Sequence, residues 1–220
     1  MARDGVDMGA ATTRSLLGWG VVAGPFYLVF GLLLAVTRPG FDLTGHPLSA
    51  LLLGDAGWLQ LLNLVLSGLM TGAAAVGLAR ALDGRRARWV AGLVGTYALC
   101  LVLSAVFPPD PVHGFPPGAP EQASVGGVLH LAFGGIGFLA LGSAALVAAP
   151  AFTGTAAVAS RIAGIVVIAG FVGGAALSSG GAGVAVLWVA VVVGWAWLAC
   201  ACVVVYRAVP HPVSARRAGG

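Results

Sequence analysis

Three side chains in this sequence have types and spacing that could do chemistry: Asp110, His113 and His130. A carboxylate and two imidazoles can offer three oxygen or nitrogen ligands to zinc, leaving the fourth position to a water for hydrolysis. Glu121, His46 and Asp42 would extend that set. No H-E-x-x-H or C-x-x-C spacing accompanies them, so no metal and no cofactor is predicted. The plainer reading gives each a structural task. Asp110 closes a Pro-Asp-Pro turn through its own backbone, Asp55 caps the helix after it, and His46 and His113 are solvated loop histidines. His130 stands apart because it begins an apolar run, where an ionisable residue is a functional hypothesis by default. Its plain alternative is a hydrogen bond to a loop carbonyl. Haem ligation would need a second embedded histidine. Ser49, Ser104 and Ser124 lie outside any G-x-S-x-G elbow.

The segment carrying most of these residues, FPPDPVHGFPPGAPEQASVGGVLH, holds six of the chain's 12 prolines. Proline fixes φ, removes a backbone donor and pushes the residue before it out of the helical region. A stiff, irregular loop results, set between two apolar runs.

Those runs dominate the chain. It is 220 residues long, 59% hydrophobic and only 8% charged, with a mean hydropathy of +1.00. Soluble domains carry about 25% charged residues, so an ordinary globular protein is excluded. The run 16–36 contains no charge and measures roughly 30 Å as helix, enough to span a bilayer core. Further spans are predicted at 58–79, 89–107, 125–149, 162–181 and 184–206. Lipid offers no partner for backbone polar groups, so these are helices. Residues 1–15 and 207–220 are read as tails. Cys100, Cys200 and Cys202 fall within apolar runs as small buried hydrophobes.

Orientation follows from arginine. With six spans, both termini and the second and fourth connections share one side, which holds ten of the 11 basic residues; Arg38 is the exception. The positive-inside rule puts that side in the cytoplasm. The same scatter of arginines excludes a nucleic-acid-binding face. Asp42, His46, Asp55, Asp110, His113 and Glu121 then collect outside, with His130 just within the bilayer. No acidic group lies near a span midpoint, which disfavours ion-coupled transport. Gly20/Gly24, Gly68/Gly72 and Gly170/Gly174 have the spacing that lets helices approach closely. Gln60 and Asn63, near the outer end of the second span, are the expected polar partners of His130. Residues 48–53 are expected as a short interfacial helix.

Two stretches carry a family resemblance. RPGFDLTGHPLSALLLGDAGWLQLLN and FPPDPVHGFPPG with its following GGVLH resemble the bacterial multi-pass family known as domain of unknown function 998. The resemblance covers nearly the whole chain. It implies the topology and the choice of outer loops, and it supplies no reaction.

The expected fold is all-α: a polytopic membrane protein with six transmembrane helices and two extracytoplasmic loops forming a lid. It is expected in the cell membrane with both termini cytoplasmic and lipids around it. Two functions follow. One is a membrane protein whose outer polar site, drawing on Asp42, His46, Gln60, Asn63 and Glu121, binds a lipid, small molecule or protein partner. The other is a membrane-embedded enzyme, metal-dependent in one version, acting on a lipid-like substrate through His130, Asp110 and His113.

Overall fold

A backbone in lipid must close its own hydrogen bonds, and this chain does so with six helices long and apolar enough to cross a membrane. In the computed structural model, which describes residues 6–178 and 181–213, they are α1 (Met8–Thr37), α2 (Gly57–Ala81), α3 (Gly84–Val106), α4 (Val125–Ala148), α5 (Gly154–Ala176) and α6 (Gly181–Ala208). Each packs on its neighbours in the chain, and α6 returns to α1 to close a ring. Arg3, Arg216, Arg217 and the middle of the glycine-rich turn before α6 lie outside the described residues.

Five helices extend past arginines that flanked their predicted spans, α2 through Arg80, α3 from Gly84 and α6 through Arg207 among them, and α1 and α5 extend furthest. α1 starts at Met8, inside the segment read as a tail, with Asp7 accepting from the N–H groups of Gly9 and Ala10. Arg14 then lies within the helix. Its guanidinium donates to the carbonyls of Tyr206 and Val209 and sits 3.9 Å from the Tyr206 ring centroid, so it caps the end of α6. α5 begins eight residues before its predicted start because Arg161 sits exposed on its second turn, where a long side chain reaches the interface.

The ends of the ring differ. At the terminal end, Asp7 N–H meets the Pro212 carbonyl at 3.0 Å and Arg80 reaches Thr13 at 3.1 Å. The opposite end carries the connections 38–56 and 107–124, called the loop end below. A 3₁₀ turn, Leu48–Leu52, lies in the first of them, with Leu48, Ala50 and Leu51 buried. It wedges between α1 and α2 rather than lying at the interface. Arg38 donates to the carbonyls of Leu51 and Leu53, which explains an arginine at this end. Asp55 does not cap α2: Ala56 holds that position with no side-chain bond.

Glycine sets the helix spacing. A Cβ on Gly20 would strike Cys202, one on Gly24 would strike Trp195 and one on Gly170 would strike Ala190. On α2 the contact is at Gly68, whose Cβ would lie 2.8 Å from Val102 and 3.0 Å from the Ala98 carbonyl; at Gly72 the nearest atom is 3.9 Å away. Of the expected pair Gly68/Gly72, only Gly68 is therefore at a close contact. Gly183 lies in the first turn of α6, and a Cβ there would overlap the Leu177 carbonyl. Gly68→Leu and Gly183→Leu should each lower stability by at least about 1–3 kcal/mol through overpacking, with Gly72→Leu close to wild type. Thermal unfolding in detergent ranks the three, and equal midpoints for Gly68→Leu and Gly72→Leu would place this face of α2 towards lipid.

Candidate functional site

α3 stops where Pro108 and Pro109 begin. A helical carbonyl at position i is answered by the N–H of i+4, so these prolines take the donors from Ser104 and Ala105. His130, in the second turn of α4, supplies a replacement. Its Nδ1–H donates to the carbonyls of Ser104 at 2.9 Å and Phe107 at 2.8 Å. Carbonyl oxygens only accept, so Nδ1 carries the proton and Nε2 of the neutral ring keeps a lone pair.

Asp110 is fixed from the other side. Its carboxylate accepts from Ser124 N–H at 3.1 Å and Ser124 Oγ–H at 2.6 Å. Ser124 in turn caps α4, its Oγ accepting from Gly127 N–H at 3.0 Å. Gly127 lies directly under the carboxylate, and a Cβ there would occupy the same space. Asp110 thus sits over the positive end of α4 instead of closing a turn on its own backbone.

The two long connections are held together by their histidines. Val112 and Phe115 exchange backbone hydrogen bonds around His113 (φ 51°) and Gly114 (φ 75°), the left-handed pair of a type I′ turn. Histidine tolerates positive φ better than most residues. His113 Nδ1–H donates to the Gly45 carbonyl at 2.8 Å, and its own carbonyl accepts from His46 Nε2–H at 3.1 Å. His46 Nδ1 accepts from Asp42 N–H at 2.9 Å, and its ring packs 5.3 Å from both Phe41 and Phe115. His46 is only 5% exposed, so it is a buried fastener and not a solvated histidine.

Glu121 accepts from Gly114 N–H at 2.9 Å. The N–H and Oγ–H of Thr44, bonding Asp42 at 2.8 Å each, hold its carboxyl below the ordinary carboxylate range. The stability this gives is complete above that ordinary range and is lost as pH falls through the lowered value.

Gln60 and Asn63 do not join His130. Both are fully buried on α2. Asn63 Nδ2–H donates to the Tyr27 carbonyl and to Gln60 Oε1, each at 3.1 Å. Ser67 and Thr71 continue this polar stripe down the helix. No protein group answers Gln60 Nε2 among the described residues. The single polar cluster expected at this end is therefore two: one between α3 and α4, one between α1 and α2.

Between them a cavity of about 470 Å³ opens within the ring at the loop end. His130, Asp110, His113, Ser49 and Ser104 line its polar part. Below them the wall is apolar, and an aromatic chain crosses it from helix to helix. Tyr27 of α1 and Tyr97 of α3 flank Trp195 of α6 at 5.3 and 5.5 Å between centroids. Tyr97 leads to Phe138 of α4 at 6.4 Å, and Phe138 stacks on Phe171 of α5 at 5.0 Å. Tyr27, Trp195, Phe138 and Phe171 carried no sequence signal beyond being aromatic well inside a span, away from the interfacial belts. The volume falls within the usual range for ligand sites, about 300–1,000 Å³.

His130→Phe removes the donor that answers α3 and should destabilise the protein by about 1–3 kcal/mol. His130→Asn keeps an N–H donor near the Nδ1 position and should recover most of that loss. Detergent unfolding curves check this, and equal losses for both variants would show that the capping bond contributes nothing.

Residues 21–204 match the family model described as Protein of unknown function (DUF998). No curated protein and no solved structure matches the chain.

Proposed function

This chain belongs to the family Protein of unknown function (DUF998) as a multi-pass membrane protein, and we propose that it binds an amphiphile in the cavity at its loop end. The carrying observation is the graded lining of that cavity: Ser49, Ser104, Asp110, His113, His130 and Ser178 at the mouth, then a wall of glycine, leucine and aromatic residues. Such a gradient fits a molecule with a polar head and an apolar tail. The reading also takes the loop end as extracytoplasmic, with the docked connections as a lid and the termini in the cytoplasm of a cell-membrane protein. Its support is arginine: Arg14, Arg80, Arg85, Arg86, Arg88, Arg161 and Arg207 all belong to the terminal end, as cytoplasmic flanks do.

The metal-dependent enzyme has no comparable support. Among the described residues, no three His, Cys, Asp or Glu side chains converge to hold an ion. His46, Asp42 and Glu121 serve the loop backbone instead.

Reporter fusions after Gly84 and after Val213 should read cytoplasmic and one after Gly118 external; a cytoplasmic signal after Gly118 would overturn the orientation. For binding, Gly134 lines the cavity with only Phe171 near it, at 3.9 Å, so Gly134→Phe fills the space at little cost to packing. Native mass spectra of the wild-type chain should show one-to-one lipid adducts that Gly134→Phe abolishes. Adducts that persist in the variant would place binding outside the cavity.

A further inference from the structure

The cavity's polar groups specify a headgroup, and this inference rests on the amphiphile reading above. Among the described residues, Asp110 is the one formally charged side chain in its lining, and no arginine lines it. Arg38, at the same end of the bundle, is bound to the carbonyls of Leu51 and Leu53. The two lining histidines are both held through Nδ1–H to backbone carbonyls, His130 to Ser104 and Phe107, His113 to Gly45. Each neutral ring therefore offers only the Nε2 lone pair to a third partner. The carboxylate of Asp110 adds acceptor capacity beyond its bonds to Ser124. The hydroxyls of Ser49, Ser104 and Ser178, also in the lining, each add one donor and two acceptor lone pairs, so acceptors outnumber side-chain donors at the mouth.

An anionic head entering here would leave water without meeting a cation, which is strongly unfavourable for an unpaired charge. The first turn of α6 reaches the cavity at Gly183 and Val184, but a helix end carries only about half an elementary charge. The matching turn of α4 is already answered by Asp110. We infer that the cavity selects amphiphiles whose heads carry O–H or N–H donors, uncharged or cationic, and rejects phosphate heads.

The test titrates the full chain in detergent, at about pH 8 where ordinary histidines are neutral, with three probes sharing one chain: 1-O-dodecylglycerol, dodecylammonium and dodecyl phosphate. Adducts are counted by native mass spectrometry, with Gly134→Phe marking which of them occupy the cavity. Cavity adducts at least tenfold tighter for dodecylglycerol or dodecylammonium than for the phosphate are expected. The two favoured probes tell a hydroxyl head from an amine. His130→Asn should weaken the dodecylglycerol adduct several-fold while its unfolding midpoint stays closer to wild type than that of His130→Phe, and Asp110→Asn should remove the advantage of dodecylammonium over the phosphate. A phosphate adduct that is equal or tighter and lost in Gly134→Phe overturns the headgroup inference while leaving the amphiphile reading standing. Adducts of all three probes that survive Gly134→Phe, or no adduct at all, overturn both.

Discussion

Proline at 108 and 109 withdraws two N–H groups from the end of α3. Of the carbonyls left behind, that of Ser104 takes a donor from another helix, His130 of α4, which also reaches the carbonyl of Phe107. Much of the loop end follows from that bond. It fixes α4 against α3 and aligns the start of α4 under Asp110, whose bonds to Ser124 define where α4 begins. It also fixes the imidazole tautomer, leaving Nε2 as an acceptor. A structural role and a chemical one are therefore alternatives only at the level of the residue. At the level of the atom His130 can fill both, Nδ1 facing the backbone and Nε2 left over.

The cavity is a product of the ring. Six helices packed mainly on their neighbours enclose more space than small side chains fill, and little joins the opposite sides. Lower in the bundle Leu17, Leu78, Leu141, Leu198 and Trp197 occupy that space. Towards the loop end the walls carry Gly127, Gly134, Gly137, Gly174 and Gly183, and the interior stays open above the aromatic chain. Several of these glycines are set by contacts elsewhere: Gly174 and Gly183 by the close approach of α5 and α6, Gly127 by Asp110. One residue choice thus serves tight packing on one side and an empty volume on the other.

The helices were legible in the sequence because length and hydropathy report directly on crossing a bilayer. Their ends were less so. A charge was read as a boundary, whereas Arg14 and Arg161 lie inside helices because a guanidinium can reach the interface or a neighbouring helix end. The residues worth examining were also visible, since polar groups in so apolar a chain are few. What they bond to was not. His46 was read as solvated because a single sequence cannot show Phe41 and Phe115 closing over it. Gln60 and Asn63 were assigned to His130 by depth alone, but depth does not specify which face of α2 they occupy, and that face turns to α1. Asp110 was read as closing a local turn, yet its partner lies fourteen residues away at Ser124, beyond the reach of any local turn rule.

The polar inventory also limits what kind of chemistry the bundle interior supports. The α2 stripe of Gln60, Asn63, Ser67 and Thr71 is neutral and bonded mainly to itself and to the α1 backbone, so it joins helices without offering a charge. Every carboxylate among the described residues lies at an end of the bundle or in a connection. A molecule in the cavity would therefore meet its electrostatic partners at one depth, beside His130 and Asp110, and only dispersion and apolar burial below. Burial at about 25 cal/mol per Å² scales with the tail and is indifferent to the head. Tail length would then govern how tightly an amphiphile is held, and the acceptors at the mouth would govern which head is admitted. These two properties vary independently because the residues responsible sit on different turns of the same helices.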